Sequence, residues 1–404
     1  MKTIRFEGIY TLLSPLCHMA PEVQGEEKKD TISRLRVIPF NIQTRIIDGY
    51  GVSGAEVRSL LKMLVVNYTL EKLGLTSNDL PNEVAVMLYS GGTADKGATI
   101  PAYEIKNKIQ KEVPLIGLFG GVINGCFFSS TLRCDFALML SKESSELYNN
   151  LLAKRDFPID DLISADYFKP EMYRYGHARH RKPEIAHLDV KNINSIQVPY
   201  HIEAIPTGTK LLHGFSLIDP SEGDEACFEA GLKLLLDYGF LGGRSAAGYG
   251  RVSAEYFECP HYDPFIPSTE KYDNWLMKNG ENMKAVLLEL TQTIKSKADV
   301  EAPKACKWLV KNKAEIERLV DGTDSEEDRK KLFKSTYIGD LKKFEKVIKA
   351  HRDTVLKAVN TDCSSEELFE TLDDSQSKEL AQFHSEIIAA VKSKNGAKKK
   401  KQGA

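Results

Sequence analysis

Apolar and polar positions alternate imperfectly over Ile4, Phe6, Ile9 and Leu12, which predicts a strand at the start of the chain. From Gly54 to Leu73 the period changes: Val57, Leu60, Leu61, Leu64, Val65 and Tyr68 recur at helical spacing. The apolar run Val84–Tyr89 reads as a strand, as does Cys126–Phe128 continuing toward Phe136–Leu140. Val198–Ile202 and Lys210–Ile218 flank Pro206-Thr207-Gly208 and predict a hairpin with a short turn. Asp224–Leu236 reads as a second helix, with Ala226, Gly231, Leu234 and Leu235 among its small and apolar positions. Val252, Ala254, Tyr256 and Phe257 then open a strand that ends near Cys259. Strand, helix, strands, helix, strand is the split βαβ order of ferredoxin-like and RNA-recognition (RRM-like) folds. The expected class is α+β, and the order alone assigns no function.

The pattern breaks after Cys259. Pro260, Pro264 and Pro267 make residues 260–270 read as a linker. Beyond it, Tyr272–Lys297, Ala305–Val320, Ser325–Val359 and Ser364–Val391 carry amphipathic helical spacing, giving a helical extension over 271–395. Residues 396–404 form a basic tail containing Lys398–Lys401, expected to be disordered. The expected organisation is a core at 1–259, a linker and this extension, with no repeat at a fixed period.

Composition narrows the function classes. The 404 residues allow two or three domains. No apolar run reaches membrane-span length, and Met1–Tyr10 carries charge where a signal peptide is apolar. Seven cysteines without a CxxC pair suit a reducing compartment, so a cytoplasmic protein with no membrane partner is expected. The net charge is −2; residues 1–259 hold 28 Lys plus Arg against 32 Asp plus Glu, and the remainder 27 against 25. Any phosphate-binding face must therefore be local.

Two segments carry candidate chemistry. The first is Gly242-Gly243-Arg244-Ser245-Ala246-Ala247-Gly248-Tyr249-Gly250-Arg251-Val252, which follows a helix and precedes a strand. A nucleotide-cofactor fingerprint runs from strand to glycines to helix, so that phosphate meets a helix N-terminus. Here the order is reversed, and no cofactor is expected. Glycines at such a junction permit positive φ and close approach of another backbone, including that of a nucleic acid. The second segment is Phe168–Lys182, where Lys169, Arg174, Arg179, Arg181 and Lys182 face a single acid, Glu171. Tyr173, Tyr175, His177 and His180 are interleaved with these cations, a composition that suits single-stranded RNA. A solvated loop is the competing reading. Zinc binding by His177, His180 and His187 is a third, lacking a fourth ligand, so no metal is expected.

Four motifs, in this order along the chain, resemble the RAMP superfamily, and within it the backbone subunits of class 1 CRISPR effector complexes. LLSPLCHMAPE near the start is similar to the strand and loop that open such proteins. Tyr50-Gly51-Val52-Ser53-Gly54-Ala55-Glu56-Val57-Arg58 resembles the family's small-residue turn into a helix, with Ser53 and Arg58 at matching positions. Leu118-Phe119-Gly120, followed by Ser129-Ser130-Thr131-Leu132-Arg133, is similar to the family's LFG loop and its next strand. The glycine loop before Val252 resembles the G-rich signature. The combination looks closest to the type IV backbone protein.

The resemblance implies a protein that polymerises along a guide (CRISPR) RNA and presents it for pairing with a target nucleic acid. Its partners would be further copies of itself and the other effector subunits. It implies phosphate contacts from Ser53, Gly54 and Arg58 at a helix N-terminus, from Arg133 on the sheet, and from Gly242, Gly243 and Arg244 along a groove. Residues 142–191 would be the family's inserted thumb, mobile in an isolated subunit. In type III backbone subunits an aspartate after the first strand cleaves target RNA. Asp30 sits at about that place, with His18 near in sequence, but the surrounding loop does not match, and a non-catalytic subunit is expected. The competing classes are a type III-like subunit with metal-dependent cleavage and a protein-interaction scaffold without nucleic acid.

Overall fold

The computed structural model describes residues 2–18, 32–33, 35–42, 44–92, 103–175, 200–294, 297–311 and 376–383. The chain opens with β1 (Thr3–Leu12), β2 (Ile32–Ser33), β3 (Val37–Ile42) and β4 (Arg45–Val52). Four helices follow: α1 (Gly54–Lys72), α2 (Asn82–Ser90), α3 (Tyr103–Glu112) and α4 (Pro114–Phe119). Then come β5 (Gly121–Ile123), β6 (Cys126–Phe128), β7 (Leu132–Cys134), β8 (Ala137–Met139), α5 (Asn149–Lys154), β9 (Glu171–Tyr175), β10 (Tyr200–Ala204) and β11 (Lys210–Ile218). The described chain continues with α6 (Glu222–Tyr238), β12 (Val252–Cys259), β13 (Asp263–Phe265), α7 (Glu270–Thr293) and α8 (Lys297–Lys311).

The main sheet has the order β13-β12-β1-β11-β8-β4-β3, with β7 also paired to β11. Within it, β1, α1, β8, β11, α6 and β12 form the ferredoxin-like unit, its strands side by side as β12-β1-β11-β8 and antiparallel at each contact. Period-2 alternation separates the faces. Phe6, Tyr10, Phe215 and Tyr256 point into the core beneath the helices, with Phe6 stacked on Phe228 of α6 at 5.1 Å. Ile9, Leu212 and Phe257 lie on the opposite face.

That opposite face is covered by the first part of the insertion. Leu151 and Leu152 are fully buried against it, joined by Tyr148, Phe157, Ile159 and Leu162. The expected mobile thumb is thus, over its described residues, partly a packed layer. Tyr148, Leu151, Leu152 and Phe157 supply the buried area that a free loop lacks.

Three other expectations are corrected. Val84–Tyr89 is helical, inside α2. Val84, Met87 and Leu88 are buried at i, i+3 and i+4, whereas Val86 is 40% exposed; Gly91, at φ 89°, ends the helix. The apolar run from Cys126 to Leu140 is broken into β6, β7 and β8. The hairpin between Val198–Ile202 and Lys210–Ile218 does not form: β10 pairs with β9 and β2, and β11 with β1, β7 and β8. With both edges of β11 taken, β10 has no place beside it, and the turn at Pro206–Thr209 bonds to Leu12 instead.

Residues 260–270 are not simply a linker. Asp263–Phe265 pairs with β12, and Phe265 packs on Phe6 at 4.6 Å. In α7, Tyr272, Leu276, Met283, Leu287 and Leu290 belong to the same core as α1 and α6. Asn124, in the β5–β6 turn, donates to the carbonyl of Ile294 at 2.6 Å and so closes the C-terminal end of α7. Further along, Trp308 of α8 meets Phe383 at 6.1 Å.

A buried polar relay lies beneath the sheet. His213 is wholly buried, its Nδ1 2.8 Å from the Tyr256 hydroxyl and its Nε2 3.3 Å from Cys134 Sγ. Burial pushes its pKa down to about 3. The unfolded chain takes up a proton near pH 6.5 that the folded chain refuses, so this contribution is present above pH 6.5 and lost as pH falls toward 3. Between pH 7.5 and pH 5 the loss is about 2 kcal/mol for wild type. Urea unfolding at the two pH values should show that His213→Gln loses less stability than wild type by about that amount; an identical loss contradicts the assignment.

Candidate nucleic-acid interface

The motif residues gather around the first two turns of α1, and glycines set the geometry. A Cβ on Gly51 would stand 1.9 Å from the carbonyl oxygen of Ala137, and one on Gly54 would stand 2.4 Å from that of Cys134. Only glycine lets β4 and the start of α1 press onto the chain at 134–137. Ser53, between them, is the N-cap: its hydroxyl accepts from the Glu56 N–H at 3.3 Å, and it is only 6% exposed. Ser53 and Gly54, expected to hold phosphate, are committed to the fold in this structure.

On one flank lies the glycine loop. The Gly243 N–H donates to Cys17 O at 2.9 Å, and the Gly250 N–H to Pro15 O at 2.8 Å. Gly242 has φ 71°, and a Cβ there would stand 2.4 Å from Cys17 O. Arg244 is left-handed at φ 62°, half-buried, and followed by a single helical turn, Ser245–Ala247. The next residue after Cys17 carries the connection onward: the Ser53 N–H donates to His18 Nε2 at 3.3 Å, and the Arg36 N–H to His18 O at 2.8 Å. Burial and the neighbouring Arg36 push the His18 pKa down, partly opposed by Glu56. Gly243, Cys17, His18 and Ser53 thus form one hydrogen-bonded line from the loop to α1.

On the other flank lie the LFG residues. Arg58 donates to the carbonyl of Phe119, the last residue of α4. Ser130 donates to Leu118 O at 2.6 Å, and Arg133 donates to Ser130 O at 2.6 Å. One turn beyond Arg58, buried Lys62 donates to Met87 O at 2.8 Å, in the last turn of α2. Burial and the Arg58 charge lower the Lys62 pKa to about 8. Cations at helix C-termini complement the orphan carbonyls and the dipole. Arg58 therefore acts first as a cap for α4, while Arg133 remains exposed.

Lys169 is exposed, but it lines a separate cleft with Tyr167 and Lys210 rather than joining the α1 group. Arg174 lies in β9, whose neighbour Tyr173 meets Tyr249 of the glycine loop edge-on at 5.7 Å. Asp30, His177, Arg179, His180, Arg181 and His187 fall outside the described residues. The sequence reading passed over Cys17 as the seat of the glycine loop, His18 as the acceptor for Ser53, and Arg36. The LCHM motif signalled the place; the partners are distant in sequence.

The RAMP superfamily model matches residues 90–253, from the end of α2 to the start of β12, and over this stretch the superfamily resemblance read from the motifs holds. Among curated proteins no sequence matches the chain. A chain of a type IV-B CRISPR complex is 20% identical over 66% of this chain and 96% of its own length, with a TM-score of 0.40. Csc2 of Thermofilum pendens is 13% identical over 72% of this chain and 76% of its own, with a TM-score of 0.31. Among the described residues no helix is long and apolar enough to cross a membrane.

The Gly51–Gly54 approach is open to direct test. Gly54→Ala should destabilise the chain by about 1–3 kcal/mol through overpacking, seen as a lower urea midpoint. An unchanged midpoint would show that the contact at Cys134 relaxes at no cost.

Proposed function

We propose that this chain is a guide-RNA-binding backbone subunit of a CRISPR effector complex of the type IV kind. In this reading it is a cytoplasmic protein that assembles with copies of itself and other subunits along the RNA and presents it to a target nucleic acid. The observation that carries the reading is the junction at Cys17 and His18, which ties the glycine loop to the N-terminal end of α1. It leaves an exposed, side-chain-free backbone at Gly243 beside Arg244. A nucleic-acid backbone can approach such a surface closely, with cations placed to meet phosphate. Arg133 extends the surface past α1, and Lys169, Arg174, Arg179 and Arg181 supply charge from the insertion. The superfamily match over 90–253 supports the same assignment. The protein reads no bases in this scheme: pairing with the guide carries sequence, and the subunit holds its backbone in shape.

Fluorescence anisotropy with a labelled single-stranded RNA, measured from low to high KCl, tests this. Affinity should fall linearly on a log–log plot as counterions are released. Arg133→Ala and Arg244→Ala should each flatten the slope by about one, with losses that do not depend on RNA sequence. Salt-independent binding, or unchanged slopes in both folded variants, would overturn the proposal.

A further inference from the structure

A cavity of about 690 Å³ lies between α6, α7 and the β12–β13 end of the sheet, and no residue of the glycine loop lines it. Part of its wall is aromatic: Phe6 packs on both Phe228 and Phe265, and half-buried Trp275 stacks on Tyr272 at 6.2 Å. Its charged lining is Glu222, Glu225, Glu229 and Glu258 against Lys271 and Lys278. Two of the carboxylates are already paired, Glu229 with Lys271 at 2.7 Å and Glu225 with Lys2 at 2.5 Å. Glu222 and Glu258 are exposed and have no ion-pair partner among the described residues. Flat rings behind two carboxylates outside any ion pair among the described residues, with Glu258 also in the field of Lys271, are complementary to a cation that is itself flat. A free cation would need nothing outside the cavity, but Ile266 and Met277 flank lining residues in the chain and are 86% and 77% exposed. Large apolar side chains left beside a charged pocket suit a protein surface that would cover them.

We propose that this cavity receives an arginine side chain from a protein partner, its guanidinium stacked on Trp275 and paired with Glu222 and Glu258. α7 supplies Trp275 to a site whose carboxylates come from α6 and β12, and so gives the helical extension a role in assembly independent of RNA. A neutral planar group of the same shape fills the cavity without answering the carboxylates, which makes citrulline the discriminating probe.

The test uses the full chain carrying Trp308→Phe, which leaves Trp275 as the one tryptophan. A blocked pentapeptide with a central arginine is titrated at constant ionic strength, alongside the same peptide with citrulline. The arginine peptide should give a saturable change in Trp275 fluorescence, and the citrulline peptide should bind at least tenfold more weakly. Glu222→Gln with Glu258→Gln should weaken the arginine peptide to the citrulline level while leaving RNA affinity at the wild-type value. Equal response to both peptides, no saturable response to arginine, or undiminished arginine binding by the double variant overturns the proposal.

Discussion

The close approach of Gly51–Gly54 to the chain at 134–137 is the constraint on which the rest of the structure depends. It docks β4 on β8 and sets α1 across the sheet at a fixed height. From that position Leu61 and Val65 reach Gly231 of α6, so the two helices of the ferredoxin-like unit pack closely. The same placement brings Arg58 and Lys62 to the ends of α4 and α2. Side chains that look like surface cations in the sequence thereby become internal caps.

α1 then organises the surface above it. Its N-cap receives His18, and His18 is adjacent to the residue on which the glycine loop rests. Two motifs separated by nearly two hundred residues are held in one hydrogen-bonded line by a dipeptide near the N-terminus. The glycine loop has its shape because Gly242 and Gly250 each lie where a Cβ would strike a carbonyl, of Cys17 and Leu241. Gly243 is left exposed beside half-buried Arg244. Gly243 serves both ends: its N–H holds the loop to Cys17, and its Cα stays exposed.

Much of this was legible where the signal is local. The 3.6-residue spacing of Val57, Leu61 and Val65 gave α1, and Ser221 with Asp224 forms the capping box that starts α6 two residues ahead of the expected helix. The misreadings are non-local. Six apolar residues at Val84–Tyr89 fit strand or helix equally, and burial of i, i+3 and i+4 decided for helix. The pairing of β10 is set by which edges remain free, which no neighbouring residue encodes. Prolines after Cys259 resembled a linker because nothing nearby shows that Phe265 will find Phe6. For the site, residue types were legible and partners were not: Arg58 finds its acceptor 61 positions away.

In the proposed function RNA lies against the glycine loop and the adjoining end of α1. Hydrogen-exchange mass spectrometry on the full chain, with and without single-stranded RNA, addresses it at the level of backbone amides. Bound RNA should slow exchange across residues 241–249 and around Arg133, with α7 unchanged. Slowing confined to α7 and α8, or absent from the glycine loop at saturating RNA, would contradict it.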